Sequence, residues 1–252
     1  MPISLRIPIL GTPINSFGWD VVLESIQQWS SNHESRYVCI CNVHSVVTAT
    51  QDAEFSRVLN EADMATPDGA PIAWMLRRLG QTDQQRINGP DLMWRYCEQA
   101  QSRAEPIFFY GGTEQTLTLL KEKLLATFPN IIVAGMMSPP YRVLSEEEDA
   151  AIVTEINASN AGVVFVSLGC PKQELWMAAH RGRINSVMIG VGAAFNYHAG
   201  TISRAPQWMQ DYYLEWLFRL AAEPRRLWRR YLVTNTLFTI GAVKQLLRGN
   251  TN

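Results

Sequence analysis

What this chain of 252 residues has little of narrows its class before any motif is read. It holds only four cysteines, Cys39, Cys41, Cys97 and Cys170, and no Cys-x-x-Cys pair. Cys39 and Cys41, two apart in an apolar run, would point to the same face of one strand. Neither a disulfide framework nor a zinc site is therefore expected, and a reducing cytoplasm suits the composition. No apolar segment reaches the roughly 20 residues that a membrane-spanning helix needs, and the first residues show no charged-then-apolar signal pattern. The expectation is a protein that is neither secreted nor membrane-spanning. Internal repeats, low-complexity tracts and an Asp-x-Asp pair for a metal-held nucleotide are also missing. The glycines lack the Gly-x-Gly-x-x-Gly spacing of a dinucleotide fingerprint, which argues against a nicotinamide-dependent oxidoreductase. No nucleic-acid partner is expected.

Apolar residues, by contrast, make up 47% of the chain, enough for a substantial core. The net charge of −1 conceals an asymmetry: residues 1–200 carry 14 Lys and Arg against 20 Asp and Glu, whereas residues 201–252 carry 8 against 3. A basic tail follows an acidic body. Within the body, short apolar runs alternate with stretches of helical period. After an apolar opening at 5–10 and a turn at Gly11-Thr12-Pro13, the pattern predicts helices over about 18–30, 52–60, 71–79, 115–128 and 145–158. Strands are predicted over 37–41, 62–66, 107–110, 131–134, 163–168 and 186–189. Such alternation predicts an α/β fold, a Rossmann-like, mostly parallel sheet covered by helices on both faces.

Open sheets of this kind gather ligands at the carboxyl ends of their strands, so the strand-to-helix junctions are the places to look. Val163 to Leu168 breaks at Gly169 and restarts as a helix at Pro171, a residue suited to a first helical position. The helix N-terminus there could bind an anion, with Lys172, Gln173 and Glu174 on its first turn. Asn42 follows the strand 37–41, at the end where such sheets place ligands, and it is well suited to cap the next helix. His44 reads as a packed or hydrogen-bonded histidine. Asp68, in the Pro67-Asp68-Gly69 turn, could serve as a general base or simply as a turn residue. Gly111 and Gly112 would let a ligand approach the backbone, and Asn196 closes the Gly190–Asn196 turn.

After Gly200 the character changes. A helix opening at 204–208 carries Trp216 and Leu217 and is divided at Glu223-Pro224 from a last helix over 225–247. Arg219, Arg226 and Arg229 are spaced to share a helical face if the break is gentle. Guanidinium forks suit a diphosphate or anionic lipid headgroups. Trp208, Trp216, Trp228, Tyr212, Tyr213 and Tyr231 beside them favour a membrane interface. Two regions result: an α/β body, 1–200, and a basic, aromatic-rich helical appendage, 201–252, suited to membrane contact.

These blocks in this order resemble the WecG/TagA/CpsF glycosyltransferase family (glycosyltransferase family 26) along nearly the whole chain. The blocks are Asn42 with its strand, Pro67-Asp68-Gly69, Asn88-Gly89-Pro90-Asp91, Gly111-Gly112, LGCPKQE at 168–174, GVGAAFNYHAG at 190–200, RAPQW at 204–208 and LEWLFRLAAEPRRL at 214–227. The resemblance implies an inverting, metal-independent enzyme without a cofactor. Such an enzyme moves a hexose or N-acetylhexosamine, of N-acetylmannosamine or glucose type, from a UDP-sugar to a polyprenyl-diphosphate-linked sugar. The work would be done at the cytoplasmic face of the membrane, in cell-surface polysaccharide synthesis. The resemblance also implies that the body, 1–200, is catalytic and that the appendage, 201–252, closes over the donor as a lid. Asp68 matches the family's proposed base, Gln173 a glutamine implicated in catalysis and Asn42 an active-site asparagine. Gly69, Gly111, Gly112, Gly169, Lys172 and Asn196 would line the substrate site. Arg219, Arg226 and Arg229 match diphosphate-binding arginines, with Arg225 and Arg230 as neighbours that could take the same place. Ile40 stands where some members have threonine and Asn196 where relatives often carry Asp. A non-catalytic nucleotide-sugar-binding subunit of an assembly complex is the alternative, and a homo-oligomer is compatible with the aromatic tail.

Overall fold

The strands of the main sheet are short apolar runs, most of them hidden on both faces, as parallel strands between two helical layers require. The computed structural model describes residues 5–249, the side chains of Asp211 and Arg226 excepted. It opens with an antiparallel hairpin of β1 (Arg6–Ile9) and β2 (Thr12–Asn15). Six parallel strands follow: β3 (Arg36–Cys41), β4 (Met64–Pro67), β5 (Pro106–Gly111), β6 (Ile132–Met137), β7 (Val163–Ser167) and β8 (Val187–Gly190). They lie in the order β4-β3-β8-β7-β5-β6.

The helices between them are α1 (Trp19–Ser31), α2 (Val43–Gln51), α3 (Ala53–Glu61), α4 (Ala70–Arg78), α5 (Gly89–Ser102), α6 (Glu114–Thr127), α7 (Glu146–Ala158), α8 (Lys172–His180) and α9 (Ala194–Ala199). Alternate strand residues face opposite layers. Tyr37, Cys39, Cys41, Val164 and Val166 pack with α2, α3, α4, α7 and α8. Val38, Ile40, Val163 and Phe165 pack with α1, α5, α6 and α9. Cys39 and Cys41 thus share a face as expected, and both are free thiols. The α/β class and the two-sided covering agree with the sequence pattern.

Three expectations need correction. The opening is a hairpin: Leu10 and Gly11, at φ 49 and 89, form its two-residue turn, and Thr12 and Pro13 belong to β2 rather than to the turn. Asn15 then accepts a hydrogen bond from the Ala65 amide at 2.7 Å, so the hairpin shields the outer edge of β4. The second is α5, which starts at the Asn88 cap in a stretch for which the pattern predicts no helix. The third is the helix expected from 204 onward, which is two: α10 (Gln207–Asp211) and α11 (Glu215–Ala222), separated by Tyr213 at φ 62.

The last helix, α12 (Pro224–Gly249), runs back over the body. It lies against α2, and Phe238 and Ala242 join the core that contains Cys39 and Val166. Gln245 accepts from the Leu10 amide at 2.9 Å and donates to the Pro8 carbonyl at 2.6 Å, and Gly241 leaves room for the Leu10 side chain. The appendage is therefore built onto the α2 face and the hairpin.

Candidate active site

The chain leaves β5 towards β6 and leaves β7 in the opposite direction, towards β8, so the carboxyl ends of these neighbours open a crevice. Backbone packs tightly at its floor. A Cβ on Gly111 would lie 2.4 Å from the Ser167 carbonyl oxygen, and Gly111 and Gly112 both hold positive φ, 114 and 72. Only glycine fits such an approach. Gly169, at φ 78, has open space on its side-chain face.

Beyond β7, Pro171 occupies the cap of α8, one position earlier than expected, after a cis Cys170–Pro171 bond. Lys172 is exposed, its ammonium 5.5 Å over the Tyr141 ring. Gln173 is buried and both ends of its amide are engaged: Oε1 accepts from the Gly192 amide at 3.0 Å and Nε2 donates to Glu174 Oε1 at 2.8 Å. Ser167 donates to the Gly192 carbonyl at 2.6 Å. Gln173 and Ser167 together clamp the turn after β8. Gly190 makes room for this, since a Cβ there would stand 2.9 Å from Gln173 Nε2. Glu174 is only 1% exposed, its Oε2 meets no hydrogen-bond partner among the described residues, and burial pushes its carboxyl up to about 7.

Beyond β3, Asn42 caps α2. Its Oδ1 accepts from the Ser45 amide at 3.2 Å while its own amide donates to Ser45 Oγ at 2.8 Å, a reciprocal cap. Burial, with the charge of Arg230, lowers the His44 imidazole to about 4, so it is neutral at physiological pH. Beyond β8, Asn196 lies on α9 and donates to Thr201 Oγ1 at 3.1 Å.

Asp68 stands at the end of β4, its amide donating to the Cys41 carbonyl at 2.8 Å. Gly69, at φ 81, turns the chain into α4. The half-buried carboxylate accepts from Arg86 Nε at 3.2 Å, and Arg86 Nη2 donates to Glu215 Oε2 of α11 at 2.5 Å. Burial raises the Asp68 carboxyl above its usual range and Glu215 adds to this, against the pull of Arg86. Arg219 of α11 comes within electrostatic reach of Asp68, Glu215, Tyr197 and Tyr231.

The structure thus places Asp68 beyond β4 with Arg219 in electrostatic reach, Asn42 beyond β3, Gly169 and Gln173 beyond β7 and Gly111 and Gly112 at the end of β5, all at the carboxyl edge of the sheet. Arg229 is exposed on α12, and it is Arg230 whose charge reaches His44 and Cys170. The side chain of Arg226 lies outside the described residues. Sequence reasoning missed Arg86, Glu215 and Ser167, and it placed Glu174 on the first turn of α8 without foreseeing its burial. Of the missed residues only Glu215 carried a signal, as one of three acids in a basic tail.

A parallel sheet covered on both faces, with a shielded carboxylate and arginines at its carboxyl edge, makes this an α/β protein of Rossmann-like architecture. The chain belongs to the glycosyl transferase WecG/TagA/CpsF family, whose sequence model matches residues 7–252. It is a glycosyltransferase. It is 30% identical over 229 residues, 87% of this chain and 86% of the other, to a protein of Bacillus spizizenii named N-acetylglucosaminyldiphosphoundecaprenol N-acetyl-beta-D-mannosaminyltransferase. A Bacillus subtilis protein of the same name is 31% identical over 192 residues, 76% of this chain and 73% of the other. One from Staphylococcus aureus is 25% identical over 248 residues, 97% and 96% of the two chains.

Proposed function

We propose that this glycosyltransferase moves an N-acetylmannosaminyl group from a UDP donor to N-acetylglucosaminyl-diphosphoundecaprenol, with inversion and without a metal ion, in the making of a cell-surface polysaccharide. The single observation that carries the mechanism is the Asp68 carboxylate, raised by burial at the end of β4 with Arg86 and Arg219 beside it. An acceptor hydroxyl attacks the anomeric carbon, its proton passes to Asp68, and the bond from that carbon to the diphosphate oxygen breaks. A general base of this kind contributes about 10²–10⁴-fold. UDP gains negative charge as it leaves, and Arg219, with Arg230 and Arg226 as further candidates, would stabilise that charge. Gln173 acts in this reading by holding the Gly192 turn rather than by touching the reacting atoms. The choice of sugars rests on the names of the relatives.

No helix among the described residues is long and apolar enough to cross a membrane. Trp208, Tyr212 and Trp228 are each more than half exposed, with Trp216 and Tyr213 near half, and Arg225, Arg229 and Arg230 are exposed beside them. Such a surface suits the anionic cytoplasmic face of the membrane, where the lipid-linked acceptor resides. The test is incubation with a panel of UDP-sugars and polyprenyl-diphosphate-linked sugars. A disaccharide lipid from UDP-N-acetylmannosamine and the N-acetylglucosamine acceptor is expected; product only from another pair would replace the assigned sugars.

A further inference from the structure

Arg86 spans two carboxylates that come from distant parts of the chain. Its Nε meets Asp68 at 3.2 Å and its Nη2 meets Glu215 at 2.5 Å, with the three side chains 18%, 21% and 15% exposed. Asp68 ends a strand of the body; Glu215 is the first residue of α11 in the appendage. An exposed pair would contribute little. This trio is mostly shielded from water, so a change in either acid alters the field at the other.

We propose that Glu215 is a positioning residue of the transfer reaction: from α11 its carboxylate holds Arg86, and so fixes the orientation of Asp68 and the charge balance around it. This rests on the reading of Asp68 as the base. A carboxylate paired with an undivided guanidinium is a weak base, because the neighbouring positive charge favours its ionised form. Glu215 divides that guanidinium between two acids and leaves Asp68 more proton affinity. The pairing also places the appendage directly on the reacting edge of the sheet, so the lid and the base are joined through one side chain.

The other groups around the trio are consistent with this. Arg219, from the same helix as Glu215, adds positive charge towards Asp68. Cys41 faces Asp68 from β3 and is kept as a neutral thiol, since burial pushes it up. Tyr197 of α9 and Tyr231 of α12 face Glu215 and Arg219, and Asp91 of α5 lies within reach of Arg86. With the Glu215 charge removed, the two arginines act on Asp68 without a counterweight from the appendage, and its proton affinity falls.

The experiment uses the full chain, UDP-N-acetylmannosamine and an N-acetylglucosaminyl-diphosphoryl polyprenol. It records melting temperature, kcat, KM and the pH profile of kcat/KM, which reports the free enzyme. Glu215→Gln keeps the shape and removes the charge. It is expected to fold, to lose about tenfold in kcat, and to shift the acid limb of the profile to lower pH. Glu215→Asp, which keeps the charge, should retain the wild-type acid limb. Glu215→Ala should reproduce the shift and serves as the second probe if Glu215→Gln folds poorly. An acid limb that stays in place when the charge is removed overturns the proposal, even if the rate falls, because mere packing would do the same. Asp68→Asn in parallel separates the two readings. If that variant were fully active, the base assignment itself would fail. If it were inactive while the acid limb of Glu215→Gln stood still, only the role of Glu215 would fail.

Discussion

Gln173 and Glu174 stand side by side on the first turn of α8, and burial gives them different work. The amide of Gln173 is committed at both ends, so its contribution is to fix the turn after β8. Glu174 supplies one of those partners at the cost of a carboxyl hidden from water. Burial raises it from 4.5 to about 7, so the folded protein keeps a proton that the unfolded chain has already lost. Its contribution to stability therefore declines as pH rises from about 4.5 to about 7. Glu174→Gln has no such proton to lose and its amide oxygen can still accept from Gln173. The variant should gain on the wild type across that window, by up to about 3 kcal/mol. Urea unfolding at about pH 5 and about pH 8 reads this directly. An unchanging difference would show that Glu174 does not titrate there.

Among the elements, those bounded by local chemistry were legible. Ser145 and Glu148 form the reciprocal cap that starts α7, and the parallel strands announced themselves as apolar runs ending at polar or glycine turns. What depended on contacts distant in sequence was not legible. Leu10 at positive φ is an unusual hairpin residue, tolerated where Gln245 of α12 binds its amide. Tyr213 at positive φ breaks a helical pattern that the residues themselves would continue. Arg86 lies in a loop with no motif, and its meaning comes from two acids on other elements. For the Asn42 junction the structural role is clear and separable from the catalytic one. Asn42→Ala should cost about 1 kcal/mol by loss of the α2 cap, whereas Asn42→Ser should retain most of that stability. If Asn42→Ser is stable yet slow in transfer, the side-chain amide serves the substrate; full activity would confine Asn42 to capping.

At the scale of the whole molecule, the appendage covers part of the core and, in the proposed reading, also walls the site. Phe238 and Ala242 are buried against the α2 face, and α11 reaches Asp68 through Glu215 and Arg86. The sequence marked this segment by charge and by apolar and aromatic content, which left open whether it covers the body, a second subunit or lipid; the burial of Phe238 and Ala242 shows that part of it covers the body. Deleting residues from about 205 onward should therefore lower the melting temperature by several degrees or more, since it bares apolar surface. It should also abolish most transfer and weaken binding to anionic liposomes. A truncated body with wild-type melting and activity would contradict this picture of the appendage.

The account turns on Asp68, and one measurement tests it most directly: single-turnover transfer by Asp68→Asn, with UDP binding measured on the same sample. The amide keeps the shape of the side chain and its contact with Arg86 but cannot take the acceptor's proton. UDP affinity should stay near that of the wild type while the transfer rate falls by about 10²–10⁴-fold. A transfer rate close to the wild-type value would contradict the assignment of Asp68 as the base.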